Sequence, residues 1–419
     1  MVQRVTTLLT LLAFVVLPAL GQTTVRDINA ISQDNVNQLE AGGATIDVGA
    51  IPGLIYANPT IGTDVTIRAV VMTDPFSSGL ANVGDGGPNR IHVYVRDINA
   101  ATMGNEGMGI QLVDGNYQTS GLINTTIGDV VDVTGQISPF GTSMQMAPTT
   151  VTLLGSYTDF SLDASILEPV TITTADMNKA IDDGVQVNWT NFADLNGQYV
   201  RLEGATIMAR DISTDRPDWL VSTDGGATLA SFYDMSLRYR NDRSDYPSGW
   251  NTLDDDFVPP PPGAAVNLQG FVVFQGDDPF NRAIPQGSEA LLNIVPFADS
   301  DLEITQSPPA VSNLSRPDAV PTTSGVVISA DVVADQSRSL TSVDLVYVTS
   351  DDATERTVAG AVQSGDTYIF PLPVQSDGVF ITYWVRAVDN TGAMSIEREP
   401  VASTRFLTNG ITQVSHVQE

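Results

Sequence analysis

The sequence predicts an all-β protein: two five-stranded Greek-key barrels with short helical lead-ins, then a β-sandwich. Three observations predict it. Beyond residue 45, apolar and polar residues alternate in short runs separated by Gly, Asp and Pro, as half-buried strands joined by tight turns do. One order of five such runs occurs twice. A third region, after Pro308-Pro309, has strand patterning of a different kind.

The N-terminus reads as a signal for export. Arg4 supplies a positive charge, Leu8 to Leu17 is apolar, Pro18 ends the run, and Ala19-Leu20-Gly21 sets small residues before a cut at Gln22. The run falls short of the ~20 apolar residues of a bilayer span, so residues 1–21 are expected to be a cleaved signal peptide. No second apolar run of spanning length follows. There is no cysteine, so no lipid anchor of the bacterial type is expected. The mature chain is expected to be secreted, extracellular or periplasmic, with neither a transmembrane nor a lipid anchor.

Composition narrows the partners. The chain has 49 acidic and 19 basic residues, a formal net charge of −30. Of the acids 39 are Asp, and Lys179 is the one lysine. Such a field repels phosphate backbones and anionic membranes, so binding of a polyanion needs a local basic patch. The acidic, lysine-poor balance also fits a saline habitat. Without disulfides, each domain depends on its own apolar core.

Residues 22–160 form the first predicted barrel. Val25, Ile28, Ile31, Val36 and Leu39 mark a helical lead-in before Gly42-Gly43. The strands follow at 64–73, 90–97, 108–113, 129–138 and 150–155. Residues 161–305 repeat the order, with a lead-in at 173–181 and strands at 198–210, 219–223, 228–238, 264–275 and 290–296. The fourth strands align best, GDVVDVTGQISPFG at 128–141 against GAAVNLQGFVVFQG at 263–276. Each carries a central glycine, Gly135 or Gly270, where a strand bends sharply. Four prolines at 259–262 form a stiff connection into the second of these strands. The hexapeptide VRDINA occurs at 25–30 and again at 95–100. The first copy is read as helix, the second as a strand end.

Five strands with a kinked, glycine-bearing fourth strand suit a small closed barrel. On these residues the chain resembles the OB-fold domains of secreted bacterial proteins, which accompany nucleases and phosphoesterases or stand alone. The resemblance implies capture of oligonucleotides or oligosaccharides across the second and third strands. After a linker at 306–310, residues 311–407 carry strands at 326–333, 342–348 and 367–372. The segment ITYWVRAVDNTG at 381–392 resembles the penultimate strand and turn of immunoglobulin-like and fibronectin type III domains. In that reading Tyr383, Val385 and Ala387 point inward and Asp389 to Gly392 turn the hairpin. Residues 408–419 read as a tail.

Four side chains carry the main ligand-binding expectation. Alternation sets Arg90, His92, Tyr94 and Arg96 on one face of a strand and Ile91, Val93 and Val95 on the other. Aromatic faces stack bases or sugars, and guanidinium groups pair phosphates. A solvated face whose arginines pair with nearby Asp is the plainer alternative. A second cluster, Arg238, Tyr239, Arg240 and Arg243, suggests either a ligand-facing loop or one pinned by Arg–Asp pairs.

For metal, Asp254, Asp255, Asp256, Asp277, Asp278 and Asp389 are weak candidates for Ca²⁺, without the spacing of an EF-hand loop. Asp in turns more often caps backbone, so the expectation is no cofactor. Catalytic templates fail. His92 and His416 are the only histidines, there is no thiol, and neither a G-x-S-x-G elbow nor a P-loop occurs. The reading is a secreted, non-catalytic binding protein that captures an extracellular oligonucleotide or oligosaccharide, with the sandwich as spacer. The alternatives are a structural or adhesive protein of the matrix or cell surface, with protein partners there, and a metal-dependent phosphodiesterase or nuclease-associated protein.

Overall fold

The computed structural model describes residues 23–42, 53–54, 61–75, 90–115, 119–139, 144–182, 184–211, 218–233, 235–236, 238–239, 260, 262–274, 291–315, 324–335, 338–376, 379–390, 392–395 and 403–407. Residues 1–21, the expected signal segment, and 408–419, the expected tail, lie outside them. Among the described residues no helix is long and apolar enough to cross a membrane.

The first barrel consists of β1 (Asp64–Val71), β2 (Ile91–Asp97), β3 (Gly109–Asp114), β4 (Asp129–Ile137) and β5 (Gln145–Ser156). They close in the order β1-β2-β3-β5-β4, with β3 and β5 parallel and every other pair antiparallel. This is the OB-like Greek-key arrangement. Ile67, Ala69 and Val71 alternate inward with Ile91, Val93, Val95, Ile110, Leu112, Val131 and Val133. A Cβ on Gly135 would sit 2.3 Å from the Ala147 carbonyl oxygen, so only glycine fits where β4 bends against β5.

The second barrel repeats the topology after two additions. Strand β6 (Val170–Ile172) joins its edge, and β7 (Asn178–Ile181) with β8 (Gly184–Val187) forms a hairpin. The barrel strands are β9 (Tyr199–Asp211), β10 (Asp218–Ser222), β11 (Ala230–Phe232), β12 (Ala265–Phe274) and β13 (Leu292–Val295). They run β9-β10-β11-β13-β12 and close through β12–β9, with β11 and β13 parallel. The edge strand β14 (Leu302–Gln306) pairs with β12. Gly270 matches Gly135: its Cβ would lie 2.6 Å from the Val295 carbonyl oxygen.

The lead-ins differ from expectation. The N-terminal one is two helices, Val25–Asn29 and Gln33–Gly42. Thr24 and Asp27 form a capping box at the first. Val25 and Ile28 plug the first barrel, whereas Val36 and Leu39 belong to the core of the second. The second lead-in is helical only over Thr174–Met177. From Asn178 the chain is strand, because the Asn178 amide donates to the Leu229 and Leu292 carbonyls and fixes an extended backbone. A further helix, Trp189–Leu195, closes the barrel end with Trp189 and Phe192.

The sandwich pairs two sheets. One is β15 (Ala310–Ser312), β16 (Val326–Val333), β20 (Thr367–Leu372) and β19 (Ala361–Ser364); the other is β18 (Asp352–Ala359), β17 (Leu340–Thr349), β21 (Phe380–Asp389) and β22 (Ser403–Leu407). Tyr383, Val385 and Ala387 do point into the core with Ile328, Leu345 and Phe370. The Tyr383 hydroxyl donates to the Ser315 carbonyl. Gly392 takes a φ of +87° in the turn after Asp389.

Candidate binding cavity at the barrel joint

The polar stripe on β2 does form one face, but that face is not exposed. His92, Tyr94 and Arg96 are each at most 1% exposed, and every residue of β2 is buried. The second barrel covers them. Tyr94 stacks on Phe271 of β12 with centroids 4.2 Å apart, and Phe271 stacks on Tyr199 at 4.9 Å. His92 meets Phe297 edge-on at 5.2 Å. Arg96 donates to the carbonyls of Ile166 at 2.7 Å, Glu168 at 2.9 Å and Tyr199 at 3.4 Å. The expected ligand face is therefore a joint between barrels, and Arg90 lies half-buried at its margin.

Burial sets the protonation of this joint. It lowers the His92 imidazole to about 3, with the nearby Arg90 charge pushing the same way, so His92 is neutral near pH 7. Its Nδ1 accepts from the Gln111 amide at 3.0 Å, and Gln111 Oε1 accepts from Gln145 at 2.8 Å. Burial also lowers Arg96 to about 10, and the guanidinium remains charged. Burial raises the Tyr94 phenol above its ordinary value.

The remaining candidates separate. Tyr239 is a core residue of the second barrel, packed on Phe232 and Trp219, and its hydroxyl donates to the Ala298 carbonyl at 2.6 Å. Arg238 pairs with Asp299 at 3.1 Å, the plainer of the two expectations for that cluster. Arg240, Arg243, Asp254, Asp255, Asp256, Asp277 and Asp278 lie outside the described residues. Asp389 is buried, with Oδ2 paired to Arg338 at 3.1 Å and Oδ1 accepting from the Ala393 amide, so one oxygen holds the approach to β17 and the other the turn. Among the described residues no group of three acids or histidines is placed to hold a metal ion.

Backbone contact tightens the joint. A Cβ on Gly109 would lie 2.0 Å from the Gly197 carbonyl oxygen, so the two glycines bring the barrels to contact. Gly107 N donates to the Asp194 carbonyl at 2.9 Å. Asn29, just past the first barrel's plug, donates to Gly107, Gly109 and Asn196 carbonyls, and accepts from Asn196 at 3.0 Å. Glu40 pairs with Lys179 and accepts from Thr190 N.

Beside this seam lies a cavity of about 230 Å³. Asn105 and Glu106 come from the first barrel; Asp194, Leu195, Gln198 and Val200 come from the second. Strand β6 adds Val170 and Ile172, the lead-in adds Asp176, and the helix Trp189–Leu195 adds Asn191. Val170, Ile172, Leu195 and Val200 give the wall an aliphatic part, and carboxylates and amides make up the rest. Burial and the nearby Glu106 raise the Asp194 carboxyl, with Arg26 opposing them. Sequence reasoning missed this site because its residues come from five separate segments, none carrying a motif.

No protein-family profile and no curated protein matches the chain. Among solved structures, the HIN domain of Ifi202 in complex with 20-bp double-stranded DNA aligns over 58% of this chain and 96% of its own, at 10% identity and a TM-score of 0.27. The FN1–FN3 domains of chicken CNTN1 align over 84% and 96%, at 10% identity and a TM-score of 0.19. The sulfane dehydrogenase SoxCD from Paracoccus pantotrophus aligns over 70% and 88%, at 11% identity and a TM-score of 0.20. Likeness at this level carries no inference about what this chain binds.

Proposed function

We propose that this is an exported, non-catalytic binding protein whose paired barrels form one rigid head and whose sandwich serves as a spacer. The observation that carries the reading is the cavity at the barrel joint. It is walled by both barrels, which stacked rings and touching backbones hold together, so a ligand would meet a preformed site and little ordering cost. The ligand is an extracellular oligosaccharide, inserting one unit, rather than a nucleic acid. Support comes from the charges. Among the described residues Arg96 is buried, and Arg26, Arg68, Arg201, Arg238, Arg338, Arg356, Arg386 and Lys179 each lie within ion-pair distance of a carboxylate. Phosphate binding needs unneutralised cations.

The test is a glycan and nucleic-acid array at low and high salt. Glycan binding that survives high salt is the expected outcome. Nucleic-acid binding that falls steeply with salt would reverse the choice of ligand.

A further inference from the structure

The cavity carries a more specific chemistry than its shape. Gln198 is 2% exposed and belongs to the cavity wall. Its Nε2 donates to the Asn105 carbonyl across the seam, which leaves Oε1 as the half of the amide still to be paired. That Oε1 is buried and has no hydrogen-bond partner. A buried carbonyl oxygen without a donor is costly. The lining offers it carboxylates Glu106, Asp176 and Asp194, the amides Asn105 and Asn191, and aliphatic carbon. The missing partner is a donor, and the charge around it is negative.

We infer that this cavity recognises a protonated primary amine on a small body with an apolar face. The ammonium carries three donors and no acceptor. One would serve Gln198 Oε1, and Asp194 and Glu106 would supply the countercharge. Val170, Ile172, Leu195 and Val200 would take the carbon skeleton. Arg26, on the helix Val25–Asn29, is a cation near Glu106 and Asp194. It is held by Glu106 at 3.5 Å and by the Glu106 and Met103 carbonyls at 2.8 and 3.3 Å, which keep it at the rim. An ammonium bound here would favour the charged form of Asp194, which burial now opposes. The chain's net charge of −30 would raise the local concentration of any cation.

The inference rests on the reading of the cavity as the ligand site, and the experiment separates the two. Calorimetric titration of the intact mature protein compares n-hexylamine, hexan-1-ol and hexanoate, alike in length and different in head group. Hexylamine is expected to bind saturably and at least about tenfold more tightly than hexanol, the factor one charge-assisted hydrogen bond supplies. Hexanoate is expected not to bind. Asp194→Asn should cut hexylamine affinity about tenfold and leave hexanol unchanged, whereas Gln198→Leu, which removes the acceptor for either head group, should weaken both. The melting temperature of each variant is recorded alongside. If either variant fails to fold, the three-probe comparison on the natural protein still decides.

Equal binding of hexylamine and hexanol, or no saturable hexylamine binding, overturns the inference. Val170→Phe, on an edge strand, fills the cavity. Neutral glycan binding that is abolished by Val170→Phe but indifferent to competing hexylamine sinks the amine and leaves the binding-protein reading intact. Glycan binding that Val170→Phe does not affect sinks the cavity as the ligand site for both.

Discussion

The two barrels share one topology and differ in what covers the outer face of their second strand. In the first barrel the other barrel covers β2, through Tyr94 on Phe271 and Arg96 on three carbonyls. In the second barrel a local hairpin covers β10. Val185 of β8 packs with Leu220, Leu229 and Leu291. The same position is thus an interdomain joint in one copy and an intradomain cover in the other. The face that an isolated barrel of this type offers to ligands is spent on architecture twice over, and the concave site lies beside the joint.

Substitutions at matched positions separate these roles. The largest effect is expected from Tyr94→Ala, about 3–5 kcal/mol for a buried aromatic. It should also divide a single thermal transition of the two barrels into two, visible by scanning calorimetry. A single, shifted transition would mean that the backbone contacts alone couple the barrels. Leu220→Ala should cost about 2–4 kcal/mol and loosen only the hairpin. Faster hydrogen exchange should be confined to residues 178–187, and exchange spreading to β2 would erase the distinction.

Third comes pH. His92 is held near 3 when folded and titrates near 6.5 when unfolded. Between those values the unfolded chain binds a proton that the folded chain does not, so stability falls as pH drops below 6.5. From pH 7 to pH 5 the loss from this group is about 2 kcal/mol. Chemical denaturation of the natural protein and His92→Gln should show that excess slope only in the former. Parallel slopes would place the imidazole in water.

The smallest effect concerns the closing seams. Arg68 and Asp132 form a two-pronged pair across β1 and β4 at 2.7 and 2.8 Å. At the matching seam Arg201 faces Gln269, which turns to Asp301 instead. Arg68→Met should cost about 1 kcal/mol, since both groups are about a quarter exposed, and Arg201→Met less. Denaturant midpoints measure both.

Much of the fold was legible because alternation and turn residues encode it locally. The lined-up fourth strands, the kink at Gly135 and Gly270, and the inward Tyr383, Val385 and Ala387 all followed from local pattern. VRDINA also resolved as read: Val25–Asn29 is helix, and Val95–Asp97 ends β2. The two copies touch, Val25 N donating to Asp97 at 2.8 Å. The joint was not read, because nothing in the β2 pattern says what lies opposite it. A signal existed in the partner strand. Phe271-Val272-Val273-Phe274 is apolar on both faces, which marks a strand buried on both sides. Val272 and Phe274 do fill the barrel, and Phe271 and Val273 fill the joint. The cavity left no comparable trace, since Gln198 and Asp194 acquire meaning only once the barrels meet.

The split N-terminal lead-in sets an order of assembly. Its bonds to Lys179, Thr190 and Asn196 join residues 139 to 167 positions apart, and its side chains sit with strands that end at Val295. On a ribosome adding roughly 5–20 residues each second, the helix Gln33–Gly42 waits at least about ten seconds for its last binding partner. The first barrel is complete in sequence by Ser156, long before the helix Gln33–Gly42 can dock. An early helix is therefore among the last elements to settle, and it acts as the latch that closes the head.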